Sequence, residues 1–272
     1  MRIEILEQKG NFLKLGLLDS TPAFANSLRR TIISEVPTLA IEEVILLENT
    51  SPLYDEIIAH RLGLIPLKTD LETYNFRDKC TCEGQGCSAC EVSLMLDKDG
   101  EKGIEVVYSR DLIPDDPKVI PVIPDVPVLK MTKGQKVSIQ CLARLGKGKD
   151  HARWQPVSTV SYKYKPVIKI DNSKCTPDAA EEITRQCPKK VFTAKGGKLK
   201  VVKEEACTLC NVCVDINPNV VAVTPSEKDF IFFVESTGSL EPVTIVREAL
   251  KVLKEKATEM NQKIEEVVYE TV

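Results

Sequence analysis

Ser20-Thr-Pro22-Ala-Phe24-Ala-Asn26-Ser-Leu28-Arg29-Arg30-Thr-Ile32-Ile33-Ser-Glu35-Val36-Pro37-Thr-Leu-Ala40-Ile41 holds a helix start, an apolar stripe, a helix stop and a strand start in one run. Ser20 and Thr21 offer an N-cap, and Pro22 suits the first helical turn, where its missing N–H costs nothing. Phe24, Leu28 and Ile32 recur at spacings of four, widened by Ala25, Ile33 and Val36, with Asn26, Arg29 and Arg30 off the stripe. Pro37 ends the helix, because the residue before a proline is pushed out of helical geometry. Upstream, residues 2–6 and 12–18 alternate like paired strands about a Lys9-Gly10-Asn11 turn.

Downstream, strand-like runs follow at 40–47, 92–96, 104–108, 137–145 and 160–170, with a short one at 220–223 and another at 229–234. Residues 113–128 carry five prolines and read as extended linker. The C-terminal segment has the clearest periodicity. Val243, Val246, Leu250, Leu253, Ala257, Met260, Ile264 and Val267 alternate spacings of three and four. That predicts one helix of about 25 residues, about 37 Å long, with an a/d seam. Glu259 and Lys263 form an i, i+4 pair on its charged side. The helix could lie on its own core. A seam this narrow suits contact with another helix better.

The 272 residues are enough for about two domains, and 43% hydrophobic content supports a sizeable core. A net charge of -3 argues against bulk electrostatic binding of nucleic acid. No apolar run approaches a membrane span and the N-terminus lacks a signal-peptide pattern, so a cytoplasmic protein is expected. Ten cysteines in such a chain point to metal ligation more than to disulfides.

Eight of them fall in two clusters. Cys207-Thr-Leu-Cys210-Asn-Val-Cys213-Val-Asp-Ile-Asn217-Pro218 follows the ferredoxin run C-x2-C-x2-C-x3-C-P with Asn217 at the fourth position. In that arrangement a remote Cys-Pro completes the site, and Cys187-Pro188 supplies it. A second cluster would need cysteines at 177, 180 and 183, where the chain has Pro177, Ala180 and Ile183. One site, Cys187 with Cys207, Cys210 and Cys213, is thus complete and the other vacated. A [4Fe–4S] cluster, or its [3Fe–4S] form, fits the prolines retained at ferredoxin positions; a four-cysteine zinc site is the competing reading. Lys189–Phe192 and 198–202 are expected to form a hairpin about Lys195-Gly196-Gly197. Cys80-Thr-Cys82-Glu-Gly84-Gln-Gly86-Cys87-Ser-Ala-Cys90 is short enough to close a structural zinc shell, leaving no open position for catalysis; a redox-active or unmetallated loop is the competing reading. Cys141 reads as a small buried hydrophobe, and Cys175 has no assigned role.

These motifs converge. Residues 26–41, together with Asp55-Glu56-Ile-Ile-Ala-His60-Arg61-Leu-Gly63-Leu-Ile-Pro66-Leu67, resemble the α-like assembly subunits of RNA polymerase. The ferredoxin-like run and the Cys80–Cys90 loop narrow the resemblance to the archaeal D subunits. Their relatives are the bacterial α N-terminal domain and the third-largest subunit of eukaryotic polymerase II. The resemblance implies an α+β fold with a discontinuous dimerisation domain at 1–40, 157–170 and 223–272. An inserted β-rich domain at 41–156 and an inserted ferredoxin-like iron–sulfur domain at 171–222 interrupt it.

It further implies a non-catalytic scaffold of transcription that heterodimerises with the small subunit L. Phe24, Leu28, Ile32, Val246, Leu250, Leu253, Ala257, Met260 and Ile264 would form the interface. Subunits N and P and the two large catalytic subunits would assemble on that platform. Arg29, Arg30, His60 and Arg61 match family motif positions at subunit contacts. Gly146-Lys-Gly-Lys-Asp-His151-Ala-Arg153-Trp154-Gln-Pro156 resembles a family loop read as a surface for a large subunit, with His151 and Arg153 in contact. No Gly-rich phosphate loop and no nucleophile–base set is legible, and no sequence-specific nucleic-acid binding is expected. A stand-alone ferredoxin-type electron carrier and a zinc-dependent nucleic-acid binder are the competing classes. The first leaves most of the chain unexplained, and the net charge opposes the second.

Overall fold

The computed structural model describes residues 1–101 and 103–270, the side chains of 268–270 excepted; the final two residues of the expected C-terminal segment lie outside the described residues. Elements run β1 (Arg2–Lys9), β2 (Phe12–Leu18), α1 (Pro22–Ser34), β3 (Pro37–Asn49), α2 (Asp55–Gly63), β4 (Glu91–Asp99), β5 (Ile104–Tyr108) and β6 (Ile113–Pro114). Then follow β7 (Pro127–Thr132), β8 (Lys136–Lys147), β9 (Val157–Ile170), α3 (Pro177–Gln186), β10 (Phe192–Lys195), β11 (Lys198–Val201), α4 (Val212–Ile216), β12 (Val221–Ser236) and α5 (Pro242–Glu270). The class is mixed α and β with several antiparallel sheets. No helix among the described residues is long and apolar enough to cross a membrane.

The residues cluster into two compact units. One comprises 1–7, 14–26 and 161–233; the other comprises 8–13, 27–160 and 234–272. Within the first lies most of a four-stranded sheet of order β1-β2-β12-β9. Tyr162 stacks on Phe232 at 5.2 Å and meets Phe230 edge-on at 5.7 Å, tying β9 to β12 through aromatic contact. The same unit holds the β10-β11 hairpin, packed with α3 in a small core of Ala180, Ile183, Val191, Phe192, Leu199, Val220 and Val221. The second unit holds the sheet β3-β8-β4-β6 and the pair β5-β7. Its core includes Leu39, Ile41, Ile58, Leu62, Leu94, Leu96, Ile139 and Cys141.

Thr21 is the α1 cap, its Oγ1 accepting from the Phe24 N–H at 3.2 Å. Three expectations need correction. The runs at 220–223 and 229–234 are one strand, β12, which continues through Pro225: a proline interrupts pairing only where its absent N–H would have been used. The stretch 113–128 is not a free linker. Val119 is fully buried, Pro121 bridges Leu67, and β7 begins at Pro127. The lysine hairpin is shorter and later than expected, with Lys195 paired to Lys198. Only Gly196 and Gly197 form its turn, at φ of 58° and 72°, the left-handed conformation a two-residue hairpin loop demands.

Candidate metal centres and interaction surfaces

The Cys80–Cys90 loop is folded back on itself by turns that the sequence supplies. Glu83 N–H bonds Cys80 O and Gln85 N–H bonds Cys82 O, both at 3.1 Å, while Cys90 N–H bonds Cys87 O at 2.9 Å. Gly84 and Gly86 take φ of 81° and 94°, where a side chain would be strained. Arg77 fastens the loop by donating from Nε to Gly84 O at 2.7 Å. The four sulfurs all lie within 4.8 Å of one another. Cys80–Cys87, Cys82–Cys90 and Cys87–Cys90 are 3.5, 3.7 and 3.9 Å apart. A tetrahedron with metal–sulfur bonds of about 2.3 Å has edges of about 3.8 Å, so the loop is shaped for one ion.

The thiols do not share charge evenly. Burial raises the Cys82 pKa, but the Gly86 N–H and the neighbouring thiols outweigh it and bring the group down to about 6. Burial pushes Cys90 up to about 12; at Cys87 the Ala89 N–H favours the thiolate, but the Cys80 thiol and burial outweigh it and the group is raised. Of these three thiols Cys82 is the readiest to ionise, while Cys87 and Cys90 hold their protons more tightly.

The second set is arranged differently. Cys187 ends α3, its N–H bonding Ile183 O at 3.1 Å. A short helical turn at Glu204–Ala206 delivers Cys207, and left-handed Leu209 and Asn211 swing the chain into α4, which carries Cys213. All four cysteines line one pocket, walled also by Pro188, Val191, Phe192, Val212 and Val223. Cys207 and Cys213 are buried, Cys187 is half-buried and Cys210 is exposed. Burial, then the nearby Cys207, raises the Cys213 thiol. Among the described residues only the Cys80–Cys90 set is gathered for a single ion; the Cys187 set lines a common pocket. At the vacated site, Ala180 and Ile183 are fully buried in the apolar core, so hydrophobic packing fills it.

Sequence reasoning missed what holds this loop. Lys163, on β9, donates to Glu205 O at 2.6 Å and Cys207 O at 2.8 Å, and Lys14 pairs with the Glu205 carboxylate at 2.5 Å. Burial lowers the Lys163 pKa. Cys141 is fully buried and its thiol is pushed up to about 12 by that burial. Cys175 packs against the small core.

The interface candidates separate into two groups. Leu28 and Ile32 have 0% exposure in the chain alone, so they belong to its own core and only Phe24 of that trio keeps exposed area. Along α5, Ile245, Val246 and Ala249 are buried and Leu250 and Leu253 half-buried, whereas Ala257, Met260 and Ile264 are exposed. The first turns serve the chain's own core, and the rest of the stripe is bare. Met260, Ile264 and Val267 are 64%, 50% and 61% exposed.

Several motif residues carry intrachain contacts. Arg61 donates to Val128 O at 2.7 Å, while His60 and Arg30 are exposed and Arg29 is half-buried. His151 Nδ1 accepts from the Arg153 N–H at 3.1 Å, and Arg153 Nη1 reaches Ile41 O at 2.9 Å. Trp154 is buried, donating from Nε1 to Arg144 O at 3.1 Å. Its ring lies where a Cβ on residue 146 would be, at 2.3 Å, which is why glycine stands there. Arg144, nearly buried, gathers Glu42, Glu43 and Glu91 at 3.2, 2.7 and 2.6 Å. Glu35 gathers Lys147, Lys149 and Lys256 at 3.3, 3.8 and 2.7 Å. Burial raises the Glu35 pKa, but the hydrogen bonds of Lys256 and Lys147 outweigh it and hold the carboxyl below its usual range.

Comparison with known proteins accounts for this combination. Residues 17–257 match the family model described as the RNA polymerase Rpb3/Rpb11 dimerisation domain. The DNA-directed RNA polymerase subunit Rpo3 of Archaeoglobus fulgidus is 41% identical over 266 residues, covering 97% of this chain and 98% of that one. Its counterpart in Methanosarcina acetivorans is 42% identical over 264 residues, covering 96% and 97%. The DNA-directed RNA polymerases I and III subunit rpac1 of Dictyostelium discoideum is 33% identical over 287 residues, covering 98% and 83%. With a family match across most of its length and relatives that align almost end to end, the chain belongs to the RNA polymerase Rpb3/Rpb11 dimerisation-domain family.

Proposed function

We propose that this chain is a non-catalytic assembly subunit of a cytoplasmic DNA-directed RNA polymerase. It pairs with the small α-like subunit L, and the heterodimer seats subunits N and P and the two large catalytic subunits. The observation that carries this reading is the bare Ala257–Met260–Ile264 stripe on α5, in a chain whose family is defined by a dimerisation domain. An exposed apolar seam at heptad spacing is the pattern that a second helix covers in a coiled coil. The dimerisation part is assigned to 1–40, 157–170 and 223–272, with the β-rich insertion at 41–156 and the iron–sulfur insertion at 171–222. Affinity purification from the native cells under anaerobic conditions, with mass spectrometry of what co-elutes, tests the reading. Near-stoichiometric recovery of a small α-like chain and two large polymerase subunits is the expected result. A chain that elutes alone, or with an oxidoreductase, defeats it.

The two cysteine sets hold different groups in this proposal. Cys187, Cys207, Cys210 and Cys213 line one pocket at ferredoxin spacing, with Pro188 and Pro218 at the ferredoxin positions, and we assign them one [4Fe–4S] cluster. When bound, it supplies four iron–thiolate bonds and a one-electron couple. This chain's part is to hold it: Lys163 and Lys14 fix the Cys207 loop, and Val191 N–H donates to the Cys187 sulfur at 3.4 Å. The bonds tie residue 187 to residues 207–213, so the cluster acts first as a structural staple.

Cys80, Cys82, Cys87 and Cys90 hold one zinc ion. A four-thiolate shell forms only when the thiols give up their protons. Cys82, at about 6, is already ionised at neutral pH, but Cys87 and Cys90 are raised and still protonated. Binding near pH 7 therefore releases at least two protons, and apparent zinc affinity should rise about 100-fold per pH unit there. Competition with a chromophoric chelator at several pH values measures this; a flat profile removes the four-thiolate assignment.

A further inference from the structure

The fifteen residues from Lys189 to Lys203 contain six lysines and no acidic residue, in a chain whose net charge is -3. Lys189, Lys190, Lys195, Lys198, Lys200 and Lys203 are all exposed. The described ion pairs of their unit engage Met1, Arg2, Lys14 and Lys174, and none of these six.

The hairpin register concentrates the charge. Lys195 stands opposite Lys198, and Thr193 opposite Lys200. Directly opposed residues share a face, so Lys195, Lys198, Lys200 and Thr193 all point away from the core that receives Phe192 and Leu199. The acids of α3 lie on the side of that helix turned from the hairpin core. α3 packs on the hairpin through Ala180 and Ile183, and at 100° per residue this puts Asp178, Glu181 and Glu182 on its opposite side. Like charges directly opposite in a strand pair destabilise the pair. The Lys195–Lys198 pair beside a two-glycine turn is therefore a cost that folding alone does not explain.

We propose that this face of the β10-β11 hairpin binds the phosphate backbone of nucleic acid without reading its sequence. It offers point charges and one hydroxyl, with its large apolar side chains turned inward. A protein partner would need a buried aromatic or aliphatic anchor, whereas a phosphate backbone needs only cations at its own spacing. The lysines at 198 and 200, about 6.8 Å apart along one strand, can each meet a phosphate. A chain acidic overall thus confines nucleic-acid contact to one small basic surface.

The test uses the full chain, purified anaerobically, with a mixed-sequence fluorescent DNA duplex. Binding should weaken with salt. Replacing Lys195→Gln, Lys198→Gln and Lys200→Gln together should flatten the log–log salt slope by about 2.7 and weaken binding about tenfold or more at about 50 mM salt. The exposed set Lys118→Gln, Lys130→Gln and Lys133→Gln removes the same net charge and should keep affinity within about twofold. Equal loss in both variants, or in neither, overturns the proposal, as does a wild-type chain that does not bind the duplex at all. Displacement of the duplex by polyglutamate at equal charge would overturn it in favour of an acidic polypeptide partner.

Discussion

Replacing Met260→Glu and Ile264→Glu together is expected to abolish pairing with the small α-like subunit while leaving the isolated chain folded. The two side chains are 64% and 50% exposed on α5, so the free chain gives up little by carrying carboxylates there. Surface changes of this kind stay within about 0.5 kcal/mol. In the heterodimer the same positions would be dry. Each lost apolar side chain removes about 1.5–3 kcal/mol of burial, and each unpaired carboxylate adds a desolvation cost. A combined loss beyond about 4 kcal/mol weakens association at least about 1,000-fold. Co-expression with the small subunit, followed by size-exclusion chromatography, reads the pairing; thermal melting reads the fold. A variant that still co-elutes at wild-type stoichiometry would mean that the bare stripe is not the interface. Leu250→Glu is a poorer probe, because Leu250 is half-buried in its own chain and would confound dissociation with unfolding.

Cys187→Ser should leave the anaerobically purified chain colourless and nearly free of iron, whereas Cys175→Ser should change neither. Both residues are half-buried cysteines beside α3. Only Cys187 lines the cavity shared with Cys207, Cys210 and Cys213. Without one thiolate, the remaining three cannot close the coordination of a four-iron cluster. The apolar core of Ala180, Ile183, Phe192 and Leu199 persists in the variant, so the insertion should retain its helix and hairpin while the segment around residues 207–213 becomes protease-sensitive. Visible absorbance, iron analysis and limited proteolysis together make the test. Unchanged iron and colour would defeat the ligand assignment. A wild-type protein that is colourless and carries zinc at this site would defeat the cluster itself.

The two cysteine sets were both legible as metal-ligand spacings, but the difference between them was not. Spacing says how far apart ligands lie along the chain. The left-handed turns at Leu209 and Asn211, and the doubled-back loop closed by Arg77 and Gly84, decide how far apart they lie in space. One set consequently brings its sulfurs within 4.8 Å of one another and the other lines a shared pocket. The vacated ligand positions were visible as Pro177, Ala180 and Ile183, yet only the structure shows Ala180 and Ile183 taken into the core while Pro177 stays exposed at the start of α3.

Local order was determined by the sequence alone. The β1-β2 hairpin, α1 from its threonine cap to its stop before Pro37, and the long periodic α5 all follow from patterns a few residues wide. Tertiary structure decided which faces were spent internally. Leu28 and Ile32 carry the same periodic signal as Met260 and Ile264, but the first pair is fully buried and the second is bare. A stripe of apolar residues records that something must cover it, not whether the cover is the same chain or another. The ion clusters were equally illegible. Arg144 meets carboxylates from positions 42, 43 and 91, and Glu35 meets lysines from 147, 149 and 256. Such groups leave no periodic mark because the fold, not the local chain, brings their members together.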